Sequence, residues 1–279
     1  MKNQMSKEKV EIIYQDGDII VINKPTGVSV TKDRSGKDQL TDILAGQLDK
    51  KECRQLRLIH RLDKDTSGVM ILAKNIEAQR KFSGYFEDRS VKKTYLAFVA
   101  GVVCGTEGTI DAPLAFNPEN PQRMRIDRQN GKDAVTEWRL LADFGLVSLL
   151  AVMPLTGRTH QIRVHLANRG MPLAIDPLYG GTRPLLLSDF KSDYRLGKWQ
   201  EEKPLIERLT LHAYQIVIPA EAVISGPEGA GIRPNYFIAG LDKKFAAALK
   251  MLTKHNPNGL TAFVNPDNFH KIVKAERLD

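Results

Sequence analysis

His60-Arg61-Leu62-Asp63-Lys64-Asp65-Thr66-Ser67-Gly68 is the stretch on which the reading of this chain turns. Leu56-Arg57-Leu58-Ile59 precedes it, and Val69-Met70-Ile71-Leu72-Ala73 follows it. Short apolar runs of this kind read as buried strands. Between them lies a tight, charged loop closed by Thr-Ser-Gly. A polar turn joining two strands needs only a glycine and a few Asp, Ser or Thr residues, so residue types alone are satisfied by a plain turn. A loop held at both ends by core strands is rigid, however, and rigid loops are where proteins place chemistry.

Working outward, Glu11-Ile12-Ile13-Tyr14 and Ile19-Ile20-Val21-Ile22-Asn23 flank Asp16-Gly17, a strong hairpin signal. Pro25 ends the second run, because proline cannot continue a central ladder. Residues 38–48 carry Leu40, Ile43, Leu44 and Leu48 at helical spacing. Beyond the charged loop, residues 75–89 read as a helix capped by Asn75, with Ile76, Phe82 and Phe86 as its core face. Residues 91–101 follow as a strand. Its period of two puts Lys93, Tyr95 and Ala97 on one face and Thr94, Leu96 and Phe98 on the other.

Residues 111–132 are broken by Pro113, Pro118 and Pro121 and made basic by Arg123, Arg125 and Arg128. Residues 135–141 and 146–152 look like an antiparallel pair turning at Asp143-Phe144-Gly145. A short helix is expected next, with Thr159 as its N-cap and Gly170 as its stop. Residues 175–181 form a turn, residues 183–209 a charged edge cover, residues 209–219 a strand, and residues 241–278 a helix with a tail.

Composition narrows the class. The chain has 279 residues, 42% hydrophobic and 27% charged, enough for a real core in a soluble protein. No apolar run reaches the roughly 20 residues that a membrane-spanning helix needs. Residues 1–9 are polar and lack the apolar core of a secretory signal, so a cytoplasmic protein is expected. Two distant cysteines, Cys53 and Cys104, suit neither a disulfide framework nor a zinc site. His160 and His165 stand five residues apart, which points two helical side chains about 140° away from each other. No metal is expected there; satisfied structural histidines are. The net charge of +8 suits a polyanionic partner, although many soluble proteins carry such charge for solubility alone.

The order of residues adds what composition cannot. His60-Arg61-Leu62-Asp63-x-x-Thr66-Ser67-Gly68 resembles the signature of the RluA-type pseudouridine synthases. Further blocks agree with it: Tyr14-x-Asp16-x-x-Ile19-Ile20-Val21-Ile22-Asn23-Lys24-Pro25-x-Gly27, Lys93-Thr94-Tyr95, Gly157-Arg158-Thr159-His160-Gln161-Ile162-Arg163-Val164-His165-Leu166, and Leu211-His212-Ala213. The turn at 175–181 departs from the family's Gly-Asp-Pro by opening with Ile175.

The resemblance implies an α+β fold: a mixed, mostly antiparallel sheet with flanking helices and a central catalytic cleft. It implies a polar tail over residues 1–10, a catalytic domain over 11–240 and a helical extension of that domain over 241–279, with no N-terminal S4 module. It makes Asp63 the catalytic carboxylate, Arg163 its ion-pair partner, and Tyr95 the residue against the uracil face that can take the C5 proton. Arg61 would occupy the stack vacated by a flipped uridine, and Lys64, Lys93 and Arg158 would contact phosphates. Lys24 would lie near the site as an RNA contact, and the basic segment 111–132 would face RNA.

Structured RNA, ribosomal or transfer, is the implied partner of a monomer. No cofactor is implied, since the reaction is an isomerisation. Two other classes use the same residues: a nucleoside hydrolase, which would release free uracil, and an inactive RNA-binding protein. The second would be expected to have lost Asp63, Tyr95 or Arg163, and all three are present.

Overall fold

The structure, a computed structural model, describes residues 9–31, 39–48, 56–101, 103–191, 193–195, 197, 201–223 and 234–278. Cys53 and most of the polar N-terminal tail lie outside the described residues. The chain divides into two compact units, residues 1–91 with 216–239 and residues 92–215 with 240–279. The expected mixture of helices with mostly antiparallel strands is what the protein shows.

In the first unit, β1 (Glu11–Gln15) and β2 (Ile19–Lys24) pair antiparallel around the Asp16 turn. Asp16 Oδ1 accepts the N–H groups of Asp18 and Ile19, which is why an aspartate opens this turn. Helix α1 (Leu40–Ala45) is shorter than its apolar spacing suggested. Strand β3 (Arg57–Leu58) and β2 both pair with β4 (Ser67–Ala73), whose seven residues are all buried. Helix α2 (Ile76–Glu87) begins where expected, with Asn75 Oδ1 accepting the Ala78 N–H. Phe82 is buried on its core face, but Ile76 is 40% exposed: in the first turn it falls outside the face that Ala78 and Phe82 define.

The second unit runs β5 (Lys92–Ala100), β6 (Glu107–Asp111), β7 (Leu114–Phe116), β8 (Met124–Ile126), β9 (Val135–Asp143), β10 (Val147–Pro154), α3 (Gln161–Asn168), β11 (Leu211–Val217), α4 (Lys243–His255) and α5 (Asp267–Lys274). Residues 241–278 thus hold two helices rather than one. Within the unit the strand order is β11-β5-β10-β9-β6. Leu96, Ala97, Phe98 and Val99 are all buried, because both faces of the sheet are covered. Ile162 and Leu166 of α3 join Ala97, Val99, Trp138, Leu150 and Val152 on one face. On the other, Phe245 of α4 stacks on Phe98 with ring centroids 4.6 Å apart.

The proline-broken segment is more regular than its sequence suggested. Strands β7 and β8 pair antiparallel as a hairpin of their own, Leu114 opposite Ile126 and Phe116 opposite Met124. The prolines fall at 113, before β7, and at 118 and 121, in the connection, so none removes a ladder hydrogen bond.

His165 is a satisfied buried histidine, as expected. Nδ1 pairs with Thr136 Oγ1 and Nε2 with the Ala112 carbonyl, both at 2.9 Å. Burial lowers its pKa from the ordinary 6.5, outweighing the Ala112 hydrogen bond. The unfolded imidazole takes up a proton near 6.5 while the folded one resists it. Stability from this group is therefore full above that pH and is lost as pH falls toward the lower folded value. Unfolding free energies measured from pH 7.5 down to 5 should fall more steeply for wild type than for His165→Gln. Equal slopes would mean His165 titrates alike in both states. Among the described residues no helix is long and apolar enough to cross a membrane.

Candidate active site

Three consecutive carbonyls fix the charged loop between β3 and β4. The Thr66 N–H donates to the Asp63 oxygen at 3.2 Å, the Lys24 ammonium to that of Lys64 at 2.8 Å, and the Thr26 hydroxyl to that of Asp65 at 2.7 Å. Lys24 also donates to the Pro25 carbonyl at 2.9 Å. It ends β2 opposite Gly68 and is fully buried. The reading of Lys24 as an RNA contact is therefore corrected. A buried ammonium is costly unless its protons are met, and here loop carbonyls meet them, so the lysine's burial and the loop's shape depend on each other.

Both ends of the loop are pinned as well. His60 Nε2 accepts the Ile71 N–H at 3.0 Å, and its ring stacks on Phe86 with centroids 4.3 Å apart. Leu62, Thr66 and Ser67 are buried. Gly68 has φ 118°, a conformation that side-chain-bearing residues rarely adopt. The frame thus carries Asp63 and Lys64 half-buried and Arg61 exposed. Where sequence showed only a polar turn or a site, the structure shows a turn whose main chain is held at the carbonyls of Asp63, Lys64 and Asp65.

In the second unit, Tyr95 and Lys93 are half-buried on β5. Tyr95 packs against the core cluster that includes Ile162 of α3, so one sheet face brings it together with the Gly-Arg-Thr-His-Gln-Ile-Arg helix. That helix begins one residue later than expected. Its N-cap is His160, in the left-handed region at φ 52° with no side-chain cap bond, not Thr159. The reason lies in Gln161, whose Oε1 accepts the Arg158 N–H and the Thr156 hydroxyl while Nε2 donates to Val135 O and Thr136 Oγ1. The glutamine ties the entry turn to β9 and replaces a serine-type cap. Arg158 itself donates from Nε to Asp133 O at 3.0 Å. Gly170, at φ 81°, stops the helix as expected, with the Met171 N–H returning to Leu166 O.

Arg163 is nearly buried on this helix. Its Nε and Nη2 each lie 2.7 Å from a carboxylate oxygen of the fully buried Asp176, a bidentate pair. Asp176 Oδ1 also accepts the N–H groups of Leu178 and Tyr179. A Cβ at Gly180 would meet Leu173 O at 2.4 Å, so glycine is required for this turn to lie against residue 173. Asp176 was missed at the sequence level. Its signal was the Asp-Pro-x-Tyr-Gly-Gly turn, a hydrogen-bonding aspartate where a charge had no evident use.

The model of the family described as RNA pseudouridylate synthase matches residues 18–168, more than half of the chain. The chain belongs to the RNA pseudouridylate synthase family. The matched span holds the Asp63 loop, Tyr95 and Arg163. The ribosomal large subunit pseudouridine synthase D of Borreliella burgdorferi is 37% identical over 203 residues, 68% of this chain and 62% of that protein. The protein of that name in Pseudomonas aeruginosa is 41% identical over 175 residues, 62% and 54% of the two chains. The chain thus spans between half and two thirds of the length of these relatives.

Solved structures agree on the fold of this chain. Human RNA pseudouridylate synthase domain containing 4 superposes with a TM-score of 0.63 at 26% identity, covering 87% of this chain and 92% of the human one. Human RNA pseudouridylate synthase domain containing 1 gives 0.60 at 27%, covering 82% and 86%.

Proposed function

We propose that this chain isomerises uridine to pseudouridine in RNA, with Asp63 as the catalytic carboxylate. The observation that carries this reading is the locked loop, in which Asp63, Lys64 and Asp65 each hold an anchored carbonyl within the family's signature sequence. Prior fixing of a reacting group removes entropy from the barrier. The reaction breaks N1–C1′, turns the uracil and forms C5–C1′, with the C5 proton leaving last. An ionised carboxylate serves by attacking the sugar or base or by removing a sugar proton. Tyr95 lies against the uracil and takes the C5 proton.

Arg163 orients Asp63 in this proposal. Asp176 engages its Nε and Nη2. A uridine in a stem must be flipped out to react, and Arg61 fills the space it leaves. Lys64, Lys93 and Arg158 meet phosphates, together with the arginines of the β7–β8 hairpin. The names of the relatives support large-subunit ribosomal RNA over transfer RNA as the substrate.

A pseudouridine map of total RNA from cells with and without the gene tests this. One or a few uridines of large-subunit ribosomal RNA should lose modification and regain it on complementation. An unchanged map across ribosomal and transfer RNA would overturn the assignment.

A further inference from the structure

Asp176 holds one edge of the Arg163 guanidinium, and an aromatic ring flanks it. Arg163 Cζ lies 5.2 Å from the centroid of the Tyr179 ring, and Arg123 Cζ lies 5.1 Å from the same centroid. The Tyr179 hydroxyl accepts the Met124 N–H at 2.6 Å and pairs with His160 Nδ1 at 2.9 Å. Met124 opens β8, and Arg123 directly precedes it. His160 caps the helix that carries Arg163. One side chain therefore touches the hairpin and the Arg163 helix at the same time.

Besides Tyr179, the hairpin is tied by a pair of backbone hydrogen bonds between Leu114 and Lys132 and by a small apolar cluster. Leu114, Met124, Ala134 and Val164 form a cluster against which Ile126 and Tyr179 pack. Beyond that cluster the hairpin offers Phe116, 69% exposed, and the exposed Arg125. The register puts Phe116 on the Met124 face and Arg125, 3.0 Å from Asp127, on the opposite face, so one side of the hairpin end offers a ring to an unpaired base and the other a cation to a phosphate.

We propose that Tyr179 is a positioning residue that couples the hairpin to Arg163, so that RNA seated on the hairpin is registered to the guanidinium beside the reacting base. This rests on the functional reading above. The two halves of the side chain do separate jobs. The hydroxyl docks the hairpin through Met124; the ring braces the guanidiniums.

The test uses the full chain and a transcript carrying the uridine that the map identifies. Y179F keeps the ring and loses the hydroxyl. It should raise KM for the transcript about tenfold and leave the saturating rate within about twofold. The Met124 amide should exchange its hydrogen faster in this variant. Y179L loses the ring as well and should add at least about a tenfold fall in the saturating rate. A merely structural role would instead lower activity with the folded fraction and leave KM of the folded molecules unchanged. Wild-type KM and Met124 exchange in Y179F, with an active wild type, would overturn this inference alone. A wild type that makes no pseudouridine in the transcript would overturn the functional reading with it.

Discussion

Asp63→Asn should reduce pseudouridine formation by at least about 10⁴-fold, or ~5 kcal/mol of barrier, while folding and RNA binding persist. The amide has the shape of the carboxylate but can neither attack carbon nor accept a proton at neutral pH. What holds the loop lies elsewhere. The carbonyls of Asp63, Lys64 and Asp65 receive Thr66 N–H, Lys24 and Thr26, and an Asp-to-Asn change leaves all three bonds in place. The buried Leu62, Thr66 and Ser67 keep the loop seated.

Single-turnover conversion of the mapped uridine measures the loss, and a filter-binding titration of the same RNA measures binding. Turnover within tenfold of wild type would remove Asp63 from the chemistry. Loss of binding together with turnover would make it a substrate contact rather than the reacting group. Free uracil, assayed in the same reaction with wild type, would favour the hydrolase that uses the same carboxylate.

What the sequence showed and what it hid follow a physical divide. Local patterns were legible: the Asp16 hairpin, the Asn75 cap, the Gly170 stop and the alternation in β5 each depend on residues within a few positions of one another. The segments that were misread depend on partners far along the chain. Lys24 looked like a surface cation because lysine usually is one. Its burial follows from the Lys64 carbonyl, 40 residues away, which no local pattern announces. Thr159 looked like the better cap, but Gln161 reaches β9 and outcompetes it. The hairpin at 114–126 was hidden by prolines that fall just outside its strands. The signature marked Asp63, Tyr95 and Arg163 as candidates; Asp176 and Tyr179, which meet Arg163 and the hairpin, carried no such mark, because nothing in a turn sequence reveals which arginine it will meet.

Asp176→Ala should cost about 3–5 kcal/mol of stability, the usual consequence of stranding a buried charge. The carboxylate and the Arg163 guanidinium have both left water, Asp176 entirely, and each side of the pair is bidentate. The aspartate also caps the turn through the Leu178 and Tyr179 N–H groups, so truncation frees two further donors. Asp176→Asn isolates the charge. It keeps an oxygen for the turn but sets an NH₂ group against a guanidinium that has only donors to offer. Its loss should therefore be smaller than that of alanine yet still clear by urea denaturation. In molecules that remain folded, an Arg163 released from one edge should point less well, so the saturating rate should fall while KM holds. A variant within about 1 kcal/mol of wild type would show that other groups hold the guanidinium. A lowered stability with an unchanged saturating rate would separate the fold from the chemistry and confine Asp176 to the former.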